Sequence, residues 1–398
     1  MNGRRAFFYV QHLLGIGHLR RTATFANAVA ANGAEVTLVS GGLPVPNLCL
    51  EGVRFVQLPP VAAADLSFRS LIDERKNPVD DEWKSKRREL LLDAWRASDA
   101  HALILELYPF GRRQMRFELA PLLETAASAS RRPLIVCSVR DILGGGQGNP
   151  ARQDDMLEIF QRYFDRVLVH GDESVIPFSR TFRHTGAIAA KLEYTGYIVD
   201  NEGAVASSRK PANDDSEEEV VVSAGGGAVG MTLLETAIRA RALTTLAHRT
   251  WRILCGVNSP ASDLDRLARL AGIAGHAAAG TISVERARPD FPQLLANCAV
   301  SVSQAGYNTM LDIIQAGARS VVVPFSGGGE TEQGLRARAF EDLGLTTMVA
   351  EDDLTPQRLA SAIDLAAHRP PPSQERVDLL GAKRSAELLG RWMSEIKW

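Results

Sequence analysis

A chain of 398 residues, 45% hydrophobic and 23% charged, is long enough for two or three domains, each with a core of its own. Its net charge of −2 excludes a general electrostatic attraction to nucleic acid or to an anionic membrane surface. No window approaches ~18 uninterrupted apolar residues, so no membrane span is expected. Cys49, Cys137, Cys255 and Cys298 share no paired spacing and read as reduced thiols rather than disulfides or metal ligands. The apolar run Ala6–Val10 is too short for a signal segment, and a cytoplasmic compartment is expected.

Ala6–Val10 predicts a first strand, followed by Gln11-His-Leu-Leu-Gly-Ile-Gly-His-Leu-Arg-Arg. Gly15 and Gly17 let the backbone turn tightly before a helix over about Leu19–Ala31, which Asn32-Gly33 ends. Glu35–Val39 is the next strand, so the chain opens with a β-turn-α-β unit of the doubly wound kind. His18 stands where the glycine turn enters the helix, at the ligand-binding edge of such a sheet. There the helix N-terminus lowers its pKa and favours the neutral imidazole that a general base requires. The plainer reading is a capping histidine bonded to a nearby carbonyl. Arg20 and Arg21 are helix charges, one of which could reach a phosphate.

Further strands are expected at Arg54–Leu58, Ala102–Glu106, Leu134–Val139 and Arg166–Val169, with charged helical stretches, notably Asp81–Ala97, between them. Glu106-Leu-Tyr-Pro-Phe-Gly-Arg-Arg and Ser138-Val-Arg-Asp-Ile-Leu-Gly-Gly-Gly both leave strands at the edge that carries His18. Gly17, Arg140 and Asp141 are therefore acceptor-side candidates. For Arg140 and Asp141 the alternative is a surface ion pair. Leu43, Val45, Leu48 and Leu50 either form an apolar lip for peripheral membrane contact or are buried. Tyr194-Thr-Gly-Tyr-Ile closes this half.

Asn201–Glu219 is polar and nearly free of large apolar residues, as a linker or surface loop would be. A second series begins at Val220–Ala224, with strands at Trp251–Cys255, Gly280–Val284, Val300–Ser303, Ser320–Val323 and Thr346–Val349. Between the first of these and a helix from about Met231 lies Ser223-Ala-Gly-Gly-Gly-Ala-Val-Gly. The backbone amides of Gly225, Gly226 and Gly227 and the helix start suit an anion. No Lys-Ser/Thr pair follows, so this is not a Walker loop. Gly225, Gly227 and Gly230 fit a dinucleotide fingerprint formally, and a structural tight turn is the other reading. Val300–Gln333 reads as strand, turn, helix, strand, turn, the helix running from about Asn308 to Gly317 with Met310, Leu311, Ile313 and Ile314 toward the sheet. Both turns open outside the carboxyl ends of the strands, where ligands bind in such sheets. Asp312, about one turn into the helix, then either grips a ligand or compensates the dipole, worth ~0.5 kcal/mol. Ser373–Trp398 reads as a terminal amphipathic helix.

The Val300–Gln333 segment resembles the donor-site half of GT-B glycosyltransferases, above all family 28, which includes the peptidoglycan N-acetylglucosaminyltransferase. The family pattern is Ser-x-x-Gly-x-x-Thr, an acidic residue, an Ala-Gly-x-Pro strand entry and a Gln-containing loop. Ser303, Gly306, Thr309, Asp312, Ala316–Gly317 and Gln333 meet it in order, while Arg319 stands where Pro is usual and Asp312 where Glu is common. Gly15-Ile-Gly-His is similar to the first turn of the same family and of related nucleotide-sugar hydrolases. The strings after Glu106 and Ser138, with His170-Gly-Asp and Tyr194-Thr-Gly-Tyr, resemble a group of predicted glycosyltransferases over nearly the whole chain.

That resemblance implies an α/β, GT-B fold: two Rossmann-like doubly wound parallel-sheet domains, 1–200 and 220–372, with a cleft between them, a linker at 201–219, and a helix over 373–398 crossing back to the first domain. It implies His18 as catalytic base and the donor diphosphate on Gly225, Gly226 and Gly227. Asp312 would hold the ribose, with Ser303, Gly306, Asn308 and Thr309 around the nucleotide and Arg288 near its base. Glu332 and Gln333 would hold the donor sugar. The implied function is inverting transfer of a sugar from a nucleotide diphosphosugar, UDP-linked by analogy, to an acceptor hydroxyl on a small molecule, glycan or lipid-linked molecule. No Asp-x-Asp after a strand suggests a metal clamp, so chemistry without metal or cofactor is expected, the nucleotide sugar being a co-substrate. The competing readings are a nucleotide-sugar hydrolase, with His18 activating water, and a non-catalytic nucleotide-sugar sensor.

Overall fold

Short runs of β-branched and aliphatic residues, each closed by a polar residue or glycine, form the strands along the whole chain. The computed structural model describes residues 3–13, 15–46, 48–64, 70–144, 149–199, 218–225, 230–256, 259–275, 280–327 and 331–396. The chain divides into one unit of Met1–Asp200 with Asp378–Trp398 and a second of Asn201–Val377.

In the first unit, β1 (Arg5–Val10), β2 (Glu35–Ser40), β3 (Val53–Gln57), β6 (Ala102–Glu106), β7 (Leu134–Arg140), β8 (Arg166–His170) and β9 (Leu192–Tyr194) form a parallel sheet ordered β3-β2-β1-β6-β7-β8-β9. Alternation along β1 divides the core. Phe7 and Tyr9 pack on one face, while Ala6, Phe8 and Val10 pack on the other, all at most 1% exposed. The second face is covered by the helix Gly17–Ala31, through Leu19, Phe25 and Val29, and by the last helix, Gly381–Glu395, through Ala386, Leu389, Trp392 and Met393. The terminal segment thus returns to the first sheet, but its α-helix starts at Gly381 rather than Ser373, and residues up to Val377 belong to the second unit.

The charged stretch Asp81–Ala97 is helical, as expected, and the chain before it holds two short strands not expected from sequence. An antiparallel hairpin, β4 (Val61–Ala63) with β5 (Leu71–Asp73), precedes the helix Asp81–Ser98. Three-residue strands carry too little periodicity to be seen in sequence. Arg87 of that helix is wholly buried and pairs with Glu118 (2.7 and 3.0 Å), and it also donates to the side chain of Gln11 (2.7 Å) and the carbonyl of Gly41 (2.8 Å). Tyr9 donates to the same Glu118. This network fixes the inserted helix to the chain just beyond β1.

The second unit repeats the plan with β10 (Val220–Ser223), β11 (Trp251–Cys255), β12 (Ile282–Arg286), β13 (Val300–Ser303), β14 (Ser320–Val322) and β15 (Thr347–Met348), all parallel and ordered β12-β11-β10-β13-β14-β15. Of the expected linker, residues 201–217 lie outside the described residues. Glu219 belongs to the sheet's entry: its carbonyl accepts the Ala299 amide and its carboxylate takes Arg252 at 2.6 and 2.7 Å.

Candidate active site

In each sheet the strand order reverses once beside the first strand, between β1 and β6 in one unit and between β10 and β13 in the other. Loops that leave adjacent strands in opposite directions open a crevice at their carboxyl ends, the usual ligand position in doubly wound sheets.

The first reversal holds His18. Its turn follows β1, and Glu106 ends β6, so strand pairing sets the two loops side by side. Nδ1 of His18 lies 2.6 Å from Oε1 of Glu106, whose side chain is fully buried. A carboxylate only accepts, so Nδ1 carries the proton and Nε2 is left as the basic nitrogen. Arg21, one helical turn on, donates to the same Oε1 at 2.5 Å. Burial pushes the His18 pKa down to about 3 against the pull of Glu106, with Arg112 and Arg140 adding to the depression. Burial is the largest cause of the depression, and it acts in the direction expected of the helix start on which His18 stands. Burial alone would raise Glu106, but His18 and Arg21 beside it hold it at about 2, as an anion. The imidazole remains 17% exposed, so this is a neutral, oriented base with an open edge.

Neither Glu106 nor Arg112 emerged from the sequence as a site residue. Glu106 closes the apolar run Ala-Leu-Ile-Leu-Glu, and an acid at the end of a buried strand was the available signal; only the β1–β6 pairing ties it to His18. Arg112 follows on the same loop, and its Nε donates to the Gln11 carbonyl at 2.6 Å. Gly17 begins the helix that carries His18. Arg140 ends β7 at the same edge. Asp141 departs from expectation. Its side chain is fully buried, accepting from the Ile142 amide (2.9 Å) and the Tyr197 hydroxyl (3.1 Å), so it braces the loop from within instead of presenting an acid to an acceptor.

At the second reversal, Gly225 has φ +74° and donates its N–H to Ser223 Oγ at 3.1 Å. Gly226 and Gly227 lie outside the described residues. Gly230 precedes the helix Met231–Ala240 with φ +111°, and a Cβ there would come within 2.7 Å of Ala224. Cβ atoms built on Gly225 and on Gly306 would each approach Thr309 Oγ1 at 3.9 Å, so the two turns flank that hydroxyl.

The helix Tyr307–Ala316 is buried at every position except Asn308, Thr309 and Asp312. Those three share one face through i,i+3 and i,i+4 spacing. Asp312 is the sixth residue of this helix, beyond its first turn, so dipole compensation does not account for it. Ser303 is buried at the end of β13.

Gln333 joins the two loops: its Oε1 accepts the amides of Ala305 (3.0 Å) and Phe325 (3.1 Å). Glu332 is buried and pairs with Arg336 at 2.9 Å, while the Arg336 guanidinium lies 5.2 Å over the Tyr307 ring. Of the two residues expected to hold the sugar, Gln333 thus ties the two loops together, and Glu332 pairs with Arg336 within its own helix. Arg288 forks onto Asp290 (2.8 and 2.6 Å) in the turn after β12. Leu43 is exposed, and Val45, Leu48 and Leu50 are partly buried against the first unit's core. Among the described residues no helix is long and apolar enough to cross a membrane.

Two doubly wound parallel sheets of this order, with the last helix returned to the first, define the GT-B architecture. Comparison with solved structures agrees. Acinetobacter baumannii MurG aligns with a TM-score of 0.62 and 14% identity over 98% of this chain and 99% of that one. The calicheamicin glycosyltransferase CalG4 gives 0.59 and 15% over 99% and 98%.

Residues 226–388 match the glycosyltransferase family 28 C-terminal domain, so the likeness to that family is carried by the second unit and the start of the last helix. The UDP-N-acetylglucosamine--N-acetylmuramyl-(pentapeptide) pyrophosphoryl-undecaprenol N-acetylglucosamine transferase of Geobacillus kaustophilus is 28% identical over 163 residues, 41% of this chain and 43% of that protein. The enzyme of the same name from Thermotoga neapolitana is 38% identical over 64 residues, 16% and 19% of the two chains. The match thus spans less than half the length of these curated relatives.

Proposed function

We propose that this chain transfers a sugar from a nucleotide diphosphosugar, UDP-linked, to a hydroxyl of an acceptor, with inversion and without a metal ion. The observation that carries this reading is the partly exposed stripe Asn308–Thr309–Asp312, set beside the Gly225 and Gly306 turns within the family-28 region. The stripe offers hydroxyl, amide and carboxylate groups to a ribose, and the start of the neighbouring helix Met231–Ala240 suits a diphosphate. The relatives named above are transferases of UDP-N-acetylglucosamine, which supports the UDP assignment.

In the proposed reaction the acceptor oxygen attacks the anomeric carbon as the bond from that carbon to the diphosphate oxygen breaks. The acceptor proton passes to Nε2 of His18. Glu106 keeps the Nδ1–H tautomer and balances the imidazolium that forms. Charge on the departing nucleoside diphosphate is taken by the N-terminus of the helix Met231–Ala240. We also propose a cytoplasmic protein, with the exposed Leu43 as its point of any peripheral membrane contact.

Release of UDP from UDP-sugars, with and without candidate acceptors, tests the reading in wild type and His18→Ala. Acceptor-dependent release that survives EDTA and disappears in the variant supports it. Fast release without acceptor shows a hydrolase, and tight binding without turnover shows a sensor.

A further inference from the structure

Gln11 is the first residue beyond β1, where the chain sets out toward His18, and it is fully buried. A buried amide needs partners for its N–H groups and its oxygen. Nε2 of Gln11 donates to the carbonyls of His12 (2.8 Å) and Val61 (3.0 Å), and Oε1 accepts from Arg87 at 2.7 Å. Its main-chain carbonyl accepts from Nε of Arg112 at 2.6 Å. Arg87 in turn bonds the carbonyls of Gly41 (2.8 Å) and Pro59 and the carboxylate of Glu118. The fit is close. A Cβ on Gly41 would lie 2.2 Å from both Arg87 Nη2 and Gln11 Oε1, and one on Gly42 would meet the His12 ring at 2.3 Å.

Arg87 therefore gathers the chain after β1, β2 and β3 onto the helix Asp81–Ser98. The hairpin before that helix joins in: Val61 donates its amide to the Gly41 carbonyl and Ala63 to the Leu13 carbonyl, each at 3.0 Å. Two links cross from the His18 side to the Glu106 side. One is Gln11 O with Arg112 Nε, close to the strand ends, and the other is His18 Nδ1 with Glu106 Oε1. The strands below them are paired, Tyr9 beside Leu105. The first link thus sets how far the two loops part, and the second depends on that spacing. Hydrogen bonds weaken steeply when misaligned, so a shift at Gln11 reaches the imidazole.

We infer that Gln11 is a positioning residue for His18, held in place by Arg87 of the inserted helix. This rests on the reading of His18 as the base. Gln11 is buried and acts only through the imidazole. The hairpin and helix inserted after β3 thereby become part of the base's support. A displacement of about 1 Å costs a reaction about 10²-fold, so a loosened His18 loop should cost kcat about tenfold.

The test compares the full wild-type chain with Gln11→Met, which keeps volume and neutrality while removing the amide. Histidine-selective NMR near neutral pH reads which ring nitrogen of His18 carries the proton, its signal assigned by loss in His18→Asn. The expected result is Nδ1–H in wild type and a mixture with Nε2–H in Gln11→Met. With it, kcat falls about tenfold while donor KM stays within about twofold, measured well below Tm. Arg112→Met should act in the same way, and Arg112→Lys, whose ammonium can still donate to the carbonyl, should recover part of the loss. Should Gln11→Met fail to fold, the two Arg112 variants carry the comparison. A lowered Tm with the wild-type tautomer and kcat shows that Gln11 serves stability alone and overturns the proposal. If wild type turns over no UDP-sugar, the transferase reading falls instead. The tautomer then decides the positioning by itself: a shift in the variants upholds it, and an unchanged Nδ1–H overturns it.

Discussion

The two sheets share a strand order and differ in what stands where that order reverses. Beside β1 and β6 the residues are ionisable: the buried Glu106 and Arg21 and the partly exposed His18, with Arg112 on the adjoining loop. Beside β10 and β13 they are glycines, a hydroxyl, an amide and one half-buried acid. In the function proposed here, one fold would carry proton handling in one unit and donor binding in the other. The contrast predicts that substitutions in the first unit act on turnover and those in the second on donor affinity.

The largest expected effect is that of His18→Ala. Loss of an oriented base lowers kcat by about 10³-fold, within the range of general base catalysis, with donor affinity unchanged by calorimetry. A loss of donor affinity with kcat preserved would reverse the division of labour. Glu106→Gln comes next, at about 10²-fold in kcat. The amide can present its NH₂ to Nδ1 and so select the wrong tautomer, and it no longer balances the imidazolium. Because Arg21 then loses one buried charged partner, the variant should also melt earlier, and the two effects are separated by assaying well below its Tm.

A third difference concerns acid. His12, His18, His101 and His170 are all held below the usual histidine pKa, burial being the largest cause in each, and all lie in the first unit. Their unfolded forms bind protons near pH 6.5 while the folded forms do not, so stability is full above that pH and falls as pH drops below it. Glu106, held at about 2, adds a further loss below the ordinary carboxylate range. Hydrogen exchange followed from pH 7 to pH 5 should show protection falling first in the 1–200 sheet. Equal loss in both units would contradict this account.

Much of this was legible in the chain. Ala102–Glu106, Trp251–Cys255 and Val300–Ser303 stand at the boundaries their composition suggests, since buried parallel strands are continuous apolar runs. Gly317, with φ +60°, ends its helix as a left-handed cap should. Asn308, Thr309 and Asp312 share a face because helical spacing is fixed. What could not be read were contacts made across the sequence: 88 residues separate His18 from Glu106, and only strand order joins them. Glu332 and Gln333 show the converse. Their polar groups match a ligand-binding pattern, and sequence alone did not show that Gln333 also ties two loops or that Glu332 pairs with Arg336.

For the second unit, Asp312→Ala should raise the donor KM about tenfold, with kcat changed less than threefold, as removal of a bidentate hydroxyl contact in both ground and transition states would. The smallest effect argued is that of Gly225→Ala. A Cβ at φ +74° costs roughly 1 kcal/mol of backbone strain, which lowers Tm by a few degrees. Among the described residues the new methyl meets only Thr309 Oγ1, at 3.9 Å. What it narrows is the space between the Gly225 turn and the Asn308–Thr309–Asp312 stripe, where the donor is proposed to lie. A donor KM raised several-fold, with the acceptor KM and the pH profile unchanged, is therefore expected. If the acceptor KM or the pH profile moved instead, the Gly225 turn would belong with proton handling, and the contrast between the two reversals would fail.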